Sequence, residues 1–141
     1  MGSFSYFSPA KLNLSFRILG KRLDGYHEIA SLVSVINFGD TLTFETSSSD
    51  VLTCSDPSLP CGDSNLIARA LHLFRARSSL SFGIKIHLDK RIPMQAGLGG
   101  GSSNAATTLW ALNERMGRPY SLAELCFMGA SLGSDVPLFF F

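Results

Sequence analysis

Between Arg91 and Thr107 the chain reads RIPMQAGLGGGSSNAAT, with four glycines, Gly97 and Gly99 to Gly101, inside five positions. No other stretch limits the fold so strongly. Glycine gives up the most conformational freedom on ordering, so a cluster of this kind belongs to a loop with unusual backbone angles or a close approach. Ser102 and Ser103 follow, and then an alanine-rich run, Asn104 to Leu112, that the pattern predicts to be a helix. A bare backbone leading into a helix N-terminus offers unpaired N–H donors and the positive end of the macrodipole, a combination suited to an anion such as phosphate. The same residues would also serve a plain tight turn.

Two familiar phosphate motifs do not fit. The Walker loop requires a lysine after its last glycine, and none follows here; the dinucleotide fingerprint requires Gly or Ala where Ser102 stands.

At 141 residues the chain is long enough for one compact domain. Its 45% hydrophobic and 16% charged residues suit a globular core, and a formal charge of +1 is no basic footprint for nucleic acid. No apolar run reaches the ~18 residues of a membrane span. The N-terminus lacks a secretory or transit pattern, and Tyr6 occupies the position where a myristoylation signal needs Ser or Thr. Cys54, Cys61 and Cys126 form no C-x-x-C pair and read as reduced thiols. A cytoplasmic protein with no membrane or nucleic-acid partner is the expectation.

Ser5 to Leu19 alternates apolar and polar residues and predicts a strand presenting Lys11, Asn13, Ser15 and Arg17 on one face. Asp24-Gly25 is a turn dipeptide. A second strand runs from Tyr26-His27 to about Asn37, and Gly39-Asp40 turns it into a third, Thr41 to Thr46. Val51 to Cys54 forms a short fourth strand. Asp63 or Ser64 caps an amphipathic helix, Asn65 to Arg77, whose stripe is Leu66, Ile67, Ala70, Leu71 and Phe74, leaving His72 exposed. Phe82 to Leu88 alternates as a strand. Ser121 and Glu124 make a capping box for a last helix ending near Leu132. Strands dominate the first half and helices the second, which predicts an α+β domain.

Three separated stretches carry a resemblance: SPAKLNLSFRILGKRLDGYHEIASLVSVINFGDTL, PMQAGLGGGSSNAA and LGSDVP. The glycine segment resembles the phosphate loop of the GHMP small-molecule kinases. The P-A-K-L-N-L and D-G-Y-H segments are similar to those of the members that act in non-mevalonate isoprenoid biosynthesis. The resemblance implies an amino-terminal GHMP kinase domain spanning residues 1–141, similar to the second domain of ribosomal protein S5. It implies ATP-dependent phosphorylation of the 2-hydroxyl of 4-diphosphocytidyl-2-C-methyl-D-erythritol, a small cytidine diphosphate derivative.

Roles follow position by position. Lys11 and Asp135 match the pair that faces the reacting hydroxyl in the family. Phosphoryl transfer needs an oxygen nucleophile, a carboxylate to take its proton and cations to neutralise phosphate. Pro93, Gly97, Leu98, Gly99, Gly100, Gly101, Ser102 and Ser103 match the ATP loop, with the Ser102 and Ser103 hydroxyls near the phosphates or Mg²⁺. Asn13, Tyr26 and His27 match the substrate pocket.

The resemblance also implies roughly the amino-terminal half of such a protein. The expectation is an unsupported end, with Val136 to Phe141 as an exposed apolar strand prone to self-association. The competing readings are a noncatalytic nucleotide-binding or S5-like RNA-binding module, and an inactive kinase fragment.

Overall fold

The computed structural model describes residues 2–21 and 27–141, with side chains described outside 15–32. Among these residues four strands form a single sheet in the order β1-β2-β4-β3. Strand β1 is Phe4–Lys21, β2 is His27–Thr46, β3 is Val51–Cys54 and β4 is Ile84–Asp89. β2 runs antiparallel to both β1 and β4, and β3 joins β4 in parallel. Three helices complete the domain: α1 (Leu66–Ser78), α2 (Gly100–Arg115) and α3 (Leu122–Leu132).

Alternation along the strands decides where the core lies. Leu42, Phe44, Ile84, Ile86 and Leu88 are buried, while Lys85 and His87 between them are exposed. The buried set packs with Ile67, Ala70, Leu71 and Phe74 of α1, Leu109 and Leu112 of α2, and Leu125 and Met128 of α3. A sheet with one helical cover is an α+β arrangement. Among the described residues no helix is long and apolar enough to cross a membrane.

Several expectations are corrected. Gly39-Asp40 is not a turn: β2 continues through it. A Cβ on Gly39 would collide with the Ser8 carbonyl oxygen of β1, so glycine is required there by close backbone approach rather than by chain reversal. The single polar face expected for the first strand is broken by register shifts at Pro9/Lys11 and Asn13/Ser15. As a result Lys11 is buried while Leu12, Asn13 and Leu14 are exposed; the side chains of Ser15 and Arg17 lie outside the described residues.

α1 is capped by neither Asp63 nor Ser64 but by Asn65, whose Oδ1 accepts from the Ile67 amide at 2.8 Å. The capping box of Ser121 and Glu124 is present, each side chain meeting the other residue's backbone N–H. His72 is exposed, as its position off the stripe predicts.

The last residues differ most from expectation. Val136–Phe140 is a short 3-10 helix with proline in its first turn, not a strand. Val136 is fully buried and Phe139 and Phe140 pack against the core, leaving Phe141 as the exposed phenylalanine of the three. Gly129 makes this docking possible, since a Cβ there would sit 2.8 Å from Val136 Cγ1 and 3.1 Å from Phe140 Cε2. The segment is therefore a docked helical turn rather than an exposed strand, with Phe141 still open to solvent.

Candidate functional site

The glycine stretch forms one wall of a cleft of about 610 Å³, within the range of small-molecule sites. Its backbone departs from ordinary angles three times: Gln95, Gly97 and Gly99 have φ of 59°, 72° and 71°. Two of these positions are glycines, for which the left-handed region is free of Cβ strain, and the third is a non-glycine outlier of the kind that collects at functional loops. Gly99 is also confined. A Cβ there would meet Lys11 Cγ and Phe139 Cζ at 3.0 Å each.

Gly99 is the N-cap of α2 and supplies no side-chain cap. The Ser103 amide is bonded to the Gly99 carbonyl oxygen at 2.8 Å. The amides of Gly100, Gly101 and Ser102 precede that first helical bond, so they are left for water or a ligand. The helix begins earlier than the alanine pattern indicates, which puts Gly100 and Gly101 inside its first turn. No acidic residue stands in that turn to satisfy the helix's positive end.

Lys11 enters from β1. Its own amide donates to the Leu98 carbonyl at 2.8 Å, tying the sheet edge to the loop. Its ammonium lies 2.9 Å from Asp135 Oδ2, with side-chain exposures of 11% and 48% respectively. Two residues far apart in sequence are thus joined at the cleft, the carboxylate still open to solvent. The docked 3-10 helix that follows Asp135 fixes the backbone from which it projects.

Pro93, Gly97, Leu98, Gly99, Gly100, Gly101 and Ser102 all line the cleft beside Lys11 and Asp135. Ser103 does not. Its side chain is fully buried and its hydroxyl lies 2.9 Å from Ser8 Oγ on β1, so it is oriented into the protein and away from any phosphate or Mg²⁺. Asn13 is exposed two residues beyond Lys11, outside the cleft lining. Tyr26 lies outside the described residues, and of His27 only the backbone is described, paired with Lys21.

A further part of the lining escaped sequence reasoning. Leu59, Pro60, Asn65 and Leu66 form it, from the loop before α1 and the helix start. Asn65 is held on both sides, accepting from Ile67 and donating through Nδ2 to the Pro60 carbonyl at 2.9 Å. Burial pushes the nearby Cys61 thiol above its usual pKa, which disfavours the reactive thiolate. Lys90 was also missed. Its ammonium, 6% exposed, lies at the cleft floor and is bonded to Asp40 at 2.8 Å.

The cleft thus joins unpaired backbone donors and two lysines to a solvent-open carboxylate and an apolar wall. That arrangement can hold a polyanion with an apolar group attached, beside a group able to accept a proton. Comparison with known proteins agrees with this chemistry. Residues 65–141, more than half of the chain, match the family described as GHMP kinases N terminal domain. The chain belongs to that family.

A 4-diphosphocytidyl-2-C-methyl-D-erythritol kinase from Protochlamydia amoebophila (strain UWE25) is 55% identical over 140 residues, which cover 99% of this chain and 49% of that relative. A crystal structure of 4-(cytidine 5'-diphospho)-2C-methyl-D-erythritol kinase superposes with a TM-score of 0.81 at 38% identity, covering 96% of this chain and 48% of that one. The Methanococcus jannaschii mevalonate kinase superposes at TM-score 0.71 with 16% identity, covering 96% of this chain and 47% of the other, a likeness of fold alone. The chain spans about half the length of the first of these relatives.

Proposed function

We propose that residues 1–141 are the amino-terminal ATP-binding portion of a kinase that phosphorylates the 2-hydroxyl of 4-diphosphocytidyl-2-C-methyl-D-erythritol. The observation that carries this reading is the Lys11–Asp135 pair, 2.9 Å apart beside the glycine loop. The substrate assignment draws on the two relatives named for that substrate, at 55% and 38% identity.

In this reading the amides of Gly100, Gly101 and Ser102 and the positive end of α2 hold the phosphates of ATP. The apolar wall of Leu59, Pro60 and Leu66 suits the base. The acceptor hydroxyl sits at Asp135. Its oxygen attacks the γ-phosphorus while the bond from that phosphorus to the bridging oxygen breaks; ADP leaves with the electron pair, and the hydroxyl proton passes to the Asp135 carboxylate. Lys11, paired with that carboxylate at 2.9 Å, offsets negative charge in the transition state. Asn13, Tyr26 and His27 are assigned to the cytidine substrate.

Mg²⁺ fits as part of the nucleotide complex. Among the described residues no group of three or more His, Cys, Asp and Glu side chains could hold a metal alone. Mg²⁺ ordinarily takes one or two protein oxygens with substrate phosphates and water, and Ser102, which lines the cleft, would be the residue to supply one. When bound, it neutralises phosphate charge.

Asp135→Asn tests the assignment in this chain and in a version with the length of its relatives. General-base catalysis contributes about 10²–10⁴-fold. Transfer from ATP to the cytidine substrate should fall by about that factor where chemistry limits the rate, with nucleotide affinity nearly unchanged. Near-native transfer by the variant would remove Asp135 from the reaction.

A further inference from the structure

Beneath the glycine loop lies a carboxylate for which the proposed chemistry has no use. Asp40 is fully buried, yet it is bonded on every side. Its Oδ1 accepts from the main-chain amides of Arg91 at 2.6 Å and Ile92 at 2.8 Å. Its Oδ2 accepts from the Lys90 ammonium at 2.8 Å and from Asn104 Nδ2 at 3.0 Å. Residues 90–92 lead into the loop and Asn104 lies in the helix that leaves it. Asn104 Nδ2 also donates to Ser8 Oγ at 2.9 Å, which carries the tie to β1.

We infer that Asp40 is a positioning residue which clamps both stems of the glycine loop to the sheet and so sets where the α2 amides present themselves to phosphate. The loop between the stems needs such a clamp. Positions 93–97 are exposed, and the Leu98 carbonyl receives the main-chain bond from β1 already described. Lys90 adds a second constraint, since its Nζ would lie only 2.8 Å from a Cβ on Gly100. The ammonium that Asp40 holds therefore sits directly behind the first residue of the helix. A displacement of Asp40 would shift the loop entrance, the cation behind it and the helix start together. Small shifts of this kind cost rate and affinity out of proportion to their size.

Asparagine cannot replace this group. Asp40 faces four donors, and an amide offers one acceptor oxygen and one NH₂. Whichever way the substituted amide is turned, its NH₂ meets donors, either the two main-chain amides or the ammonium and Asn104.

The test compares Asp40→Asn with Asp50→Asn, a carboxylate change remote from the cleft, in the full chain. Hydrogen exchange read by mass spectrometry needs no ligand. In Asp40→Asn the amides of Arg91, Ile92, Ser103 and Asn104 should exchange at least tenfold faster, with α1 unchanged. ATP affinity by calorimetry should fall at least tenfold, and less in Asp50→Asn. This second readout rests on the nucleotide reading. If the native chain bound no ATP, that reading would fail while the exchange comparison still decided the clamp. Native exchange across residues 91–104 in a folded Asp40→Asn protein would overturn the inference, as would an affinity loss no greater than that of Asp50→Asn. Should Asp40→Asn not fold, Asn104→Ala removes one of the four bonds and the tie to Ser8, and the same two measurements decide.

Discussion

Asp40 and Asp50 use one chemical device at opposite ends of β4. Asp40 precedes Thr41, which pairs with Asp89, and Asp50 receives the amide of Ile84, where β4 begins. Each carboxylate accepts from a backbone amide and from a basic side chain. Asp50 takes two bonds from Arg75, at 2.7 and 2.9 Å, and so fastens α1 to the sheet. The difference is burial. The Asp50 side chain is 36% exposed, whereas Asp40 is fully buried. An exposed pair fastens elements weakly and can be lost with small consequence. A buried carboxylate with four donors tolerates no loss, because each orphaned donor bears its own desolvation cost. Burial therefore separates a fastener of the fold from a fastener of the site.

Gly99→Val should break the comparison at its cleft end with the largest effect. Valine at φ of 71° is strained, and its side chain would press on Lys11 and Phe139. A backbone outlier of this type costs about 1–3 kcal/mol, so ATP affinity should fall roughly tenfold or more for a loop displaced by that energy. Calorimetry on protein whose circular dichroism is native checks it, and unchanged affinity would take the loop out of the site.

Asp50→Asn sharpens the other end. Asparagine keeps one acceptor oxygen, so the charge and the Arg75 Nη1 bond to Oδ2 are what is lost; discounted for exposure, this should lower stability by about 1 kcal/mol in a urea titration, and ATP affinity should stay native. The hydrogen bonds from Arg75 hold the Asp50 carboxyl below its usual pKa, outweighing the opposing desolvation. A depressed pKa means that the unfolded state binds the proton more readily. The Asp50 contribution is thus complete above about pH 4 and disappears as pH falls through the folded value. Asp50→Asn should flatten that acid limb, and an unaltered limb would assign acid sensitivity elsewhere.

The smallest effect belongs to a contact made wholly within one helix end. Ser121→Ala removes the acceptor for the Glu124 amide, and should cost about 1 kcal/mol or less with both ends of the sheet unaffected. A changed ATP affinity there would mean that α3 communicates with the cleft through the docked residues after Asp135.

Local chemistry decided what was legible in the sequence. The capping box of Ser121, the stripe of α1 and the alternation of Ile84, Ile86 and Leu88 each depend on neighbours a few positions away, and each appears where the pattern puts it. The family resemblance named Pro93, Gly97 to Ser102, Lys11 and Asp135, and these residues line one cleft. Asp40 was illegible. Gly-Asp is a turn signal by composition, but the glycine answers a steric demand from Ser8 and the aspartate answers donors more than fifty residues away. Ser103 was misjudged for a related reason: adjacent serines on a helix point about 100° apart, so one faces the cleft and the other Ser8. The final segment read as a strand because its apolar run carries no period, and Pro137 with its packing partners closed it into a helical turn.

The bond between Ser8 and Ser103 spans 95 residues, and that between Asp40 and Asn104 spans 64. Closing such long loops is entropically unfavourable until the contacts at their ends form together. Helices α1 and α3 can form from local contacts, but the cleft has no local nucleus. Its floor exists only once the first strand has met the start of α2. A chain emerging from synthesis would therefore carry its helices and hairpin before it had a place to put a phosphate, and the glycine loop would acquire its shape in the slow, topology-limited part of folding.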